Sequence, residues 1–343
     1  MNELDVAPPP DLSLLAAGPV SELEPAVPSR SVATFAGRFS LVGLWILLIV
    51  VYGISEPDDF LQKGTFQSIF SSQVELVFLS LALICVFVVG EFDLSVASMM
   101  GLSATLVGLL AVNHHMNTIL ASLLAVLASG GIGVINGFLV VVIGVDAIVA
   151  TLGMGTFLLG LTLALTNLQA VQGLSESYSQ LALRDVLGLP IDFLYGLIAA
   201  SLLAYVLVST PLGLRMSFVG SSREVARLAG INVNRIRFGA YVASGLLCGL
   251  AGIIVAATLG GFDPNTSPNY LLPAFAAVFL GTAAVRPGKF NPIGTLIGLY
   301  FLQTGIIGLQ LFGLTGWISQ VFYGGTLVLA VAFTTVIQRR AAR

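Results

Sequence analysis

Charge is what this chain of 343 residues has least of, with Asp, Glu, Lys and Arg together at 9%. A soluble globular domain carries about 25%. Set beside 57% hydrophobic residues and a mean hydropathy of +0.99, that scarcity excludes a water-soluble fold. Cysteine is nearly missing: Cys85 and Cys248 both lie inside apolar runs. Such positions suit neither a disulfide framework nor a metal site, and both read as small packing residues. The two histidines, His114 and His115, are adjacent. Neighbours in sequence do not share a helix face, so they read as a polar loop and not as a chelating pair.

The motifs of several chemistries are missing as well. "RPGKF" at 286–290 is the nearest approach to a nucleotide-binding loop, but Phe290 stands where Ser or Thr is needed. Nor does a glycine stand five residues before Gly288, so the phosphate cradle is incomplete. HExxH is absent, as is any Ser/His or paired-aspartate arrangement of an intramembrane protease. The chain is therefore read as no enzyme, with no catalytic residue, metal or cofactor of its own. Glycine, by contrast, is abundant at 38 residues, as expected where helices pack closely in lipid.

Residues 1–37 are rich in Pro, Ala, Ser and acidic groups and have no periodicity, which predicts a disordered extension. No basic stretch precedes an early apolar run, so a signal peptide is not expected. From 38 to 338, apolar segments of about 18–24 residues recur, each long enough to span a hydrocarbon core of ~30 Å. They fall at 39–55, 68–89, 94–113, 118–143, 147–167, 192–209, 237–258, 271–286, 291–312 and 317–337. The expected fold is an all-α polytopic membrane protein of about ten transmembrane helices, ending in a basic tail at 339–343.

The basic residues orient those helices. With an even number of spans and a cytoplasmic N-terminus, the inside collects Arg30, Arg38, Arg215, Arg223, Arg227, Arg235, Arg237, Arg286, Lys289, Arg339, Arg340 and Arg343. Only Lys63 and Arg184 fall outside. That bias predicts both termini on the cytoplasmic side. The external loops are acidic instead, as in "SEPDDF" at 55–60. Acidic groups that would serve ion coupling within the membrane are few: Glu75, Glu91 and Asp93. Their scarcity weakens a proton-coupled carrier without removing it.

"SSREVARLAGINVNRIR" at 221–237 holds four arginines inside this apolar chain. Ser221 and Glu224 have the S-x-x-E spacing of a capping box, and Gly230 supplies a typical helix stop. The enclosed helix is too short to persist alone in water. Val225, Leu228 and Ala229 form an apolar strip, Ala226 and Gly230 permit close approach, and Ile231 and Val233 follow as apolar residues. A solvated loop and a contact helix for a cytosolic protein both fit this pattern. The arginines alternate with apolar residues instead of forming a block, which argues against nucleic acid.

Five stretches in order resemble the permease subunits of bacterial ATP-binding-cassette importers for monosaccharides of the ribose, xylose and galactose type. They are "GEFDLSVAS" at 90–98, "INGFLV" at 135–140, "IVATLGMGTFLLG" at 148–160, "EVARLAGINVNRIR" at 224–237 and "FAAVFLGTAAVRPGKFNPIGTLIG" at 275–298. The match runs from about residue 39 to 337. Two departures stand out: Glu91 occupies the place of a second glycine, and "AAVRPGKF" replaces a more glycine-rich loop.

The resemblance implies a bacterial inner-membrane subunit with the importer permease fold. It implies cytosolic ATPase partners that bind Mg-ATP, an extracytoplasmic sugar-binding protein, and a second permease copy or homologue in the surrounding lipid. Within a coupling loop at 211–236, the residues that would engage the ATPase are Ser221, Arg223, Glu224, Ala226, Arg227, Leu228, Gly230, Ile231 and Val233. Gly90, Glu91, Asp93 and Ser95 form the signature turn. It reads either as a tight turn in which Asp93 caps the next helix or as a broken helix at a gate.

Asn136, Thr151, Thr156, Asn167 and Gln303 are candidates for the substrate path, although helix–helix hydrogen bonds use the same residue types. Gly133/Gly137 and Gly245/Gly249 have the spacing of close helix contacts. "GGFDPNTSPNYLLP" at 260–273 is external, and its counterpart in the family suggests a short re-entrant helix. There Phe262, Asp263 and Tyr270 are candidates for an outer gate or binding-protein contact. A self-sufficient ion-coupled sugar carrier and a membrane scaffold remain as alternatives.

Overall fold

A computed structural model describes residues 32–71, 73–186 and 188–341, with side chains described between 39 and 332 apart from 71, 72 and 187. The chain is mostly helical. α1 (Val32–Ser55) precedes two short helices, α2 (Pro57–Phe60) and α3 (Lys63–Ser71), and then α4 (Val74–Phe87). Next come α5 (Val96–Gly108), α6 (Thr118–Gly137) and α7 (Ala147–Leu165). π-Helical turns, Leu109–Asn113 and Phe138–Ile143, extend α5 and α6. α8 (Glu176–Leu183), α9 (Ile191–Ser209), α10 (Pro211–Ser221) and α11 (Arg223–Leu228) lead to the 27-residue α12 (Val233–Leu259). A 3-10 segment (Pro264–Tyr270), α13 (Leu271–Gly281), α14 (Pro292–Leu311) and α15 (Ile318–Ala341) complete the order.

Among the described residues, seven helices are long and apolar enough to cross a membrane: Lys63–Phe87, Val96–Asn113, Thr118–Ile143, Ala147–Leu165, Ile191–Ser209, Val233–Leu259 and Pro292–Leu311. Phe39–Ser55 and Ile318–Ala332 are shorter apolar helices. Polar residues start many of these elements. Asn117, Asp146, Thr210, Asn232 and Asn291 each accept a hydrogen bond from the first turn they precede, satisfying amides that lack an intrahelical partner.

α12 is the central helix, packed against α4, α5 and α6. Its contact with α6 is set by small residues. A Cβ on Gly133 would strike the Tyr241 carbonyl oxygen, and one on Gly245 would strike the Ser129 carbonyl oxygen. A Cβ on Gly249 would crowd Val126, and one on Gly137 the Phe238 ring. Both glycine pairs expected to allow close approach thus do so, and van der Waals packing drives helix association in lipid. α4 is buried along its whole length, whereas α6, α7 and α9 keep apolar side chains such as Leu127, Phe157 and Leu202 exposed. Cys85 and Cys248 are buried packing residues, as read from the sequence.

Two boundaries differ from the sequence reading. Of the extension expected at 1–37, residues 1–31 lie outside the described residues. Residues 32–37 belong to α1, because an apolar run without proline continues the helix backwards. The eighth segment, expected to reach 286, ends as a helix at Gly281. The chain there breaks into turns through positive φ at Val285 and Gly288. At the end of the molecule holding α8, two-residue strands Val171–Gln172 and Gly261–Phe262 pair antiparallel, as do Asp185–Val186 and Leu189–Pro190. Segments this short have no readable periodicity.

Candidate functional site

The connection between α4 and α5 turns sharply at Gly90, whose φ of +74° is open to glycine at little cost. Its backbone passes against Gly220 of α10, where a Cβ would collide with the Val88 carbonyl oxygen. This close seat brings the turn beneath the arginine-rich segment. Glu91 then points inward and is only 4% exposed. One of its oxygens meets the Arg223 guanidinium at 2.6 Å and Arg237 Nε at 2.5 Å. Arg223 also donates to the Gly90 carbonyl at 3.1 Å, and the Tyr241 hydroxyl donates to the Phe92 carbonyl at 3.0 Å. A buried carboxylate is tolerable only when paired and hydrogen-bonded in this way.

Asp93, fully buried, organises the other half of the turn. Its carboxylate accepts from the Ser95 amide at 2.9 Å, the Ser95 hydroxyl at 2.6 Å and the Ser244 hydroxyl at 3.3 Å. Burial pushes its carboxyl above the usual range, and the Ser95 and Ser244 hydrogen bonds pull it partly back. Asn136 donates to the Ser95 hydroxyl at 2.8 Å, and Thr151 accepts from the Leu94 amide at 2.9 Å. The turn is thereby pinned to α6, α7 and α12 at once.

α11 projects from the same end. Its cap differs from the expected box: Ser222, not Ser221, accepts from the Val225 amide. The Ser221 hydroxyl is committed to the Ser217 carbonyl inside α10, and Ser222 takes the extended backbone that a cap requires. The stop is as expected. Gly230 has φ +77°, its amide bonds the Arg227 carbonyl, and the Ile231 amide bonds the Ala226 carbonyl, which is the Schellman pattern. Ala226 and Val233 face inward and anchor the segment to its own chain, and Ile231 packs against the core. Ala226 and Val233 are therefore unavailable to a partner, because close packing already fills the space around them, whereas Ile231 is half-buried. Glu224, Val225, Arg227 and Leu228 face outward, and Leu228 is 88% exposed.

Residues 66–331 match the family model described as branched-chain amino acid transport system / permease component. That range is most of the chain. The chain belongs to this permease family. It is similar to the L-arabinose ABC transporter permease protein AraH of Azospirillum brasilense, 28% identical over 95% of this chain and 96% of that protein. The ribose import permease protein RbsC of Escherichia coli (strain K12) is 31% identical over 85% of this chain and 91% of its own. RbsC of Bacillus subtilis (strain 168) is 32% identical, covering 84% and 90%. No solved structure matches.

In this multi-pass membrane permease, a second turn lies close to the first. Asn291 donates to the carbonyls of Gly281, Ala284 and Lys289 and accepts from the Gly294 amide at 2.6 Å. It knots the 282–290 connection in place of the expected helix. Phe290 from this knot and Phe92 from the first turn both pack against the Phe87 ring, tilted and edge-on respectively, with ring centroids 5.0 and 5.2 Å away. Asn291 went unread as a functional position, although an Asn-Pro pair before an apolar run was a usable signal. Tyr241 and Ser244 carried no local signal at all.

The predicted path residues do not converge. Asn136 and Thr151 belong to the signature turn. Thr156 is exposed and bonds the Leu152 carbonyl. Asn167 lies beyond α7 with φ +51°, and Gln303 on α14 accepts from Tyr323 at 3.5 Å. They sit on different elements: α6, α7, the connection after α7, and α14. Among the outer residues, Phe262 is fully buried in the core, so it is not a surface contact. Its strand pairing with Val171 turns it inward. Asp263 caps the 3-10 segment by accepting from the Asn265 amide at 2.9 Å, and Tyr270, half-buried, ends it.

Proposed function

We propose that this permease is the membrane-spanning subunit of an ATP-driven importer that moves a monosaccharide or related polyol. The relatives are named for L-arabinose, ribose and D-allose transport, which supports the substrate class. An extracytoplasmic binding protein delivers the substrate, separate cytosolic ATPases hydrolyse Mg-ATP, and two permease copies or homologues pair in the bacterial inner membrane. Its long apolar helices span it, with both termini cytoplasmic, and the arginine-rich end faces the ATPase.

One observation carries this reading. Glu91 ties Arg223, the first residue of α11, to the turn that α4, α5, α6, α7 and α12 share. A six-residue helix with an exposed Leu228 and such a rigid base acts as a lever. Pushing α11 moves the turn, and the turn moves five helices together, as in other interface-driven rigid-body switches. Outward-facing Arg227, Glu224 and Leu228 supply the contact with the ATPase groove.

The test is uptake in proteoliposomes holding the whole assembly. Replacing the P-loop lysine of the partner ATPase abolishes uptake, and collapsing proton and sodium gradients leaves it unchanged. Uptake that survives the first change and follows a gradient identifies a self-sufficient carrier and overturns the proposal.

A further inference from the structure

At the end opposite α11, a recess of about 300 Å³ opens beside the 3-10 segment. Gln73, Glu75, Thr266, Asn269 and Tyr270 line it, with Leu76 as an apolar wall. Glu75 is the unusual member. It lies in the first turn of α4 and is 8% exposed. Among the described residues, no Lys, Arg or His reaches its carboxylate, and no other side chain donates to it. A buried acidic group without a cation is costly, and within a membrane span it marks a functional site by default. Its neighbours are neutral groups that donate and accept hydrogen bonds, and Asp192 of α9 is a second buried acidic side chain nearby.

We propose that this recess is a hydroxyl-recognition subsite for a neutral polyhydroxylated substrate, formed wholly by one permease chain. Glu75 hydrogen-bonds substrate O–H groups, which satisfies a buried carboxyl left without a side-chain partner among the described residues. Asn269 and the Tyr270 hydroxyl bind the remaining oxygens, and Leu76 takes an apolar face of the ring. With no cation in the recess among the described residues, phosphorylated or acidic analogues find no counter-charge there. This deepens the importer proposal and rests on it for the class of substrate. None of these residues except Tyr270 was among the path and gate candidates in the sequence.

The experiment exploits the buried native cysteines, Cys85 and Cys248, which leave an engineered thiol as the reporter. Thr266→Cys permease, whose lost hydroxyl is committed to the Asp263 carbonyl and not to substrate, is assembled with its ATPase and binding protein in vesicles and labelled from outside with an impermeant maleimide. D-Ribose, L-arabinose and D-allose are the probes, and D-ribose 5-phosphate is the anionic control. At probe concentrations of a few Kd, labelling slows roughly threefold or more by mass action, and the phosphate ester gives no protection. Glu75→Gln abolishes the protection at an unchanged labelling rate without sugar, which reports an intact fold.

ATP-driven uptake of the same sugars is measured in parallel. Uptake without protection, protection equally strong by the phosphate ester, or protection that survives Glu75→Gln overturns the subsite and leaves the importer standing. Protection without ATP-driven uptake supports the subsite and removes the importer reading. Neither protection nor uptake with all three sugars removes both.

Discussion

Glu91 and Arg223 stand 132 positions apart in the chain and meet at 2.6 Å. Arg237 joins the same carboxylate oxygen from the start of α12. This three-residue node makes the short α11 mechanically continuous with the α4–α5 turn. Its two arms are unequal, since the side chain of Arg223 is 44% exposed and that of Arg237 only 13%.

That inequality orders the costs of breaking the node. Glu91→Ala strands Arg237 and lowers stability by about 3–5 kcal/mol, the range for removing one partner of a buried pair. Arg223→Ala costs about 1 kcal/mol or less, because solvent screens the exposed arm. Thermal unfolding of the purified permease reads both values. Equal melting shifts would show that burial does not govern the node.

Leu228→Asp leaves the melting temperature within the scatter of the parent, because that side chain touches little of its own chain. Substrate-stimulated ATPase activity and transport nevertheless come apart in the assembly. Ala226→Asp, which places a charge in the buried seat of α11, lowers the melting temperature as well. A Leu228→Asp assembly that stays fully coupled would falsify the contact role of α11.

Gly220→Ala destabilises despite the better helix propensity of alanine. The new Cβ meets the Val88 carbonyl oxygen, and such overpacking costs about 1–3 kcal/mol. Gly239→Ala in α12 meets no neighbour within 4 Å and gains about 0.5–1 kcal/mol. Paired denaturation curves for the two variants should shift in opposite directions.

Ser222→Ala speeds hydrogen exchange of the Val225 amide by about fivefold, the equivalent of a cap worth ~1 kcal/mol. Ser221→Ala leaves that amide unchanged, since its hydroxyl bonds the Ser217 carbonyl. The reverse result would restore the cap read from the S-x-x-E spacing.

Much of the helical framework was legible because its signals are local. Apolar runs, the Gly230 stop and the two glycine pairs each act within a few residues, and their structural counterparts lie where the sequence places them. The Ser221 cap misled for an equally local reason: two adjacent serines compete, and only the backbone shows which has left the preceding helix. Phe262 misled because a two-residue strand pairing turned it inward. Glu75 was visible as a rare acidic group inside an apolar segment, but its recess was not, since Thr266, Asn269 and Tyr270 arrive from a distant connection.

The sequence by itself determined that this chain belongs in a membrane, where its apolar helices run and which end carries the arginines. Hydropathy and charge are sums over neighbours, and they survive without knowledge of packing. Only the tertiary structure decided that Glu91 lies between Arg223 and Arg237, and that Asn136 and Thr151 hold a turn. Those contacts exist because glycines let α6 and α12 approach closely, bringing together groups that no local period relates.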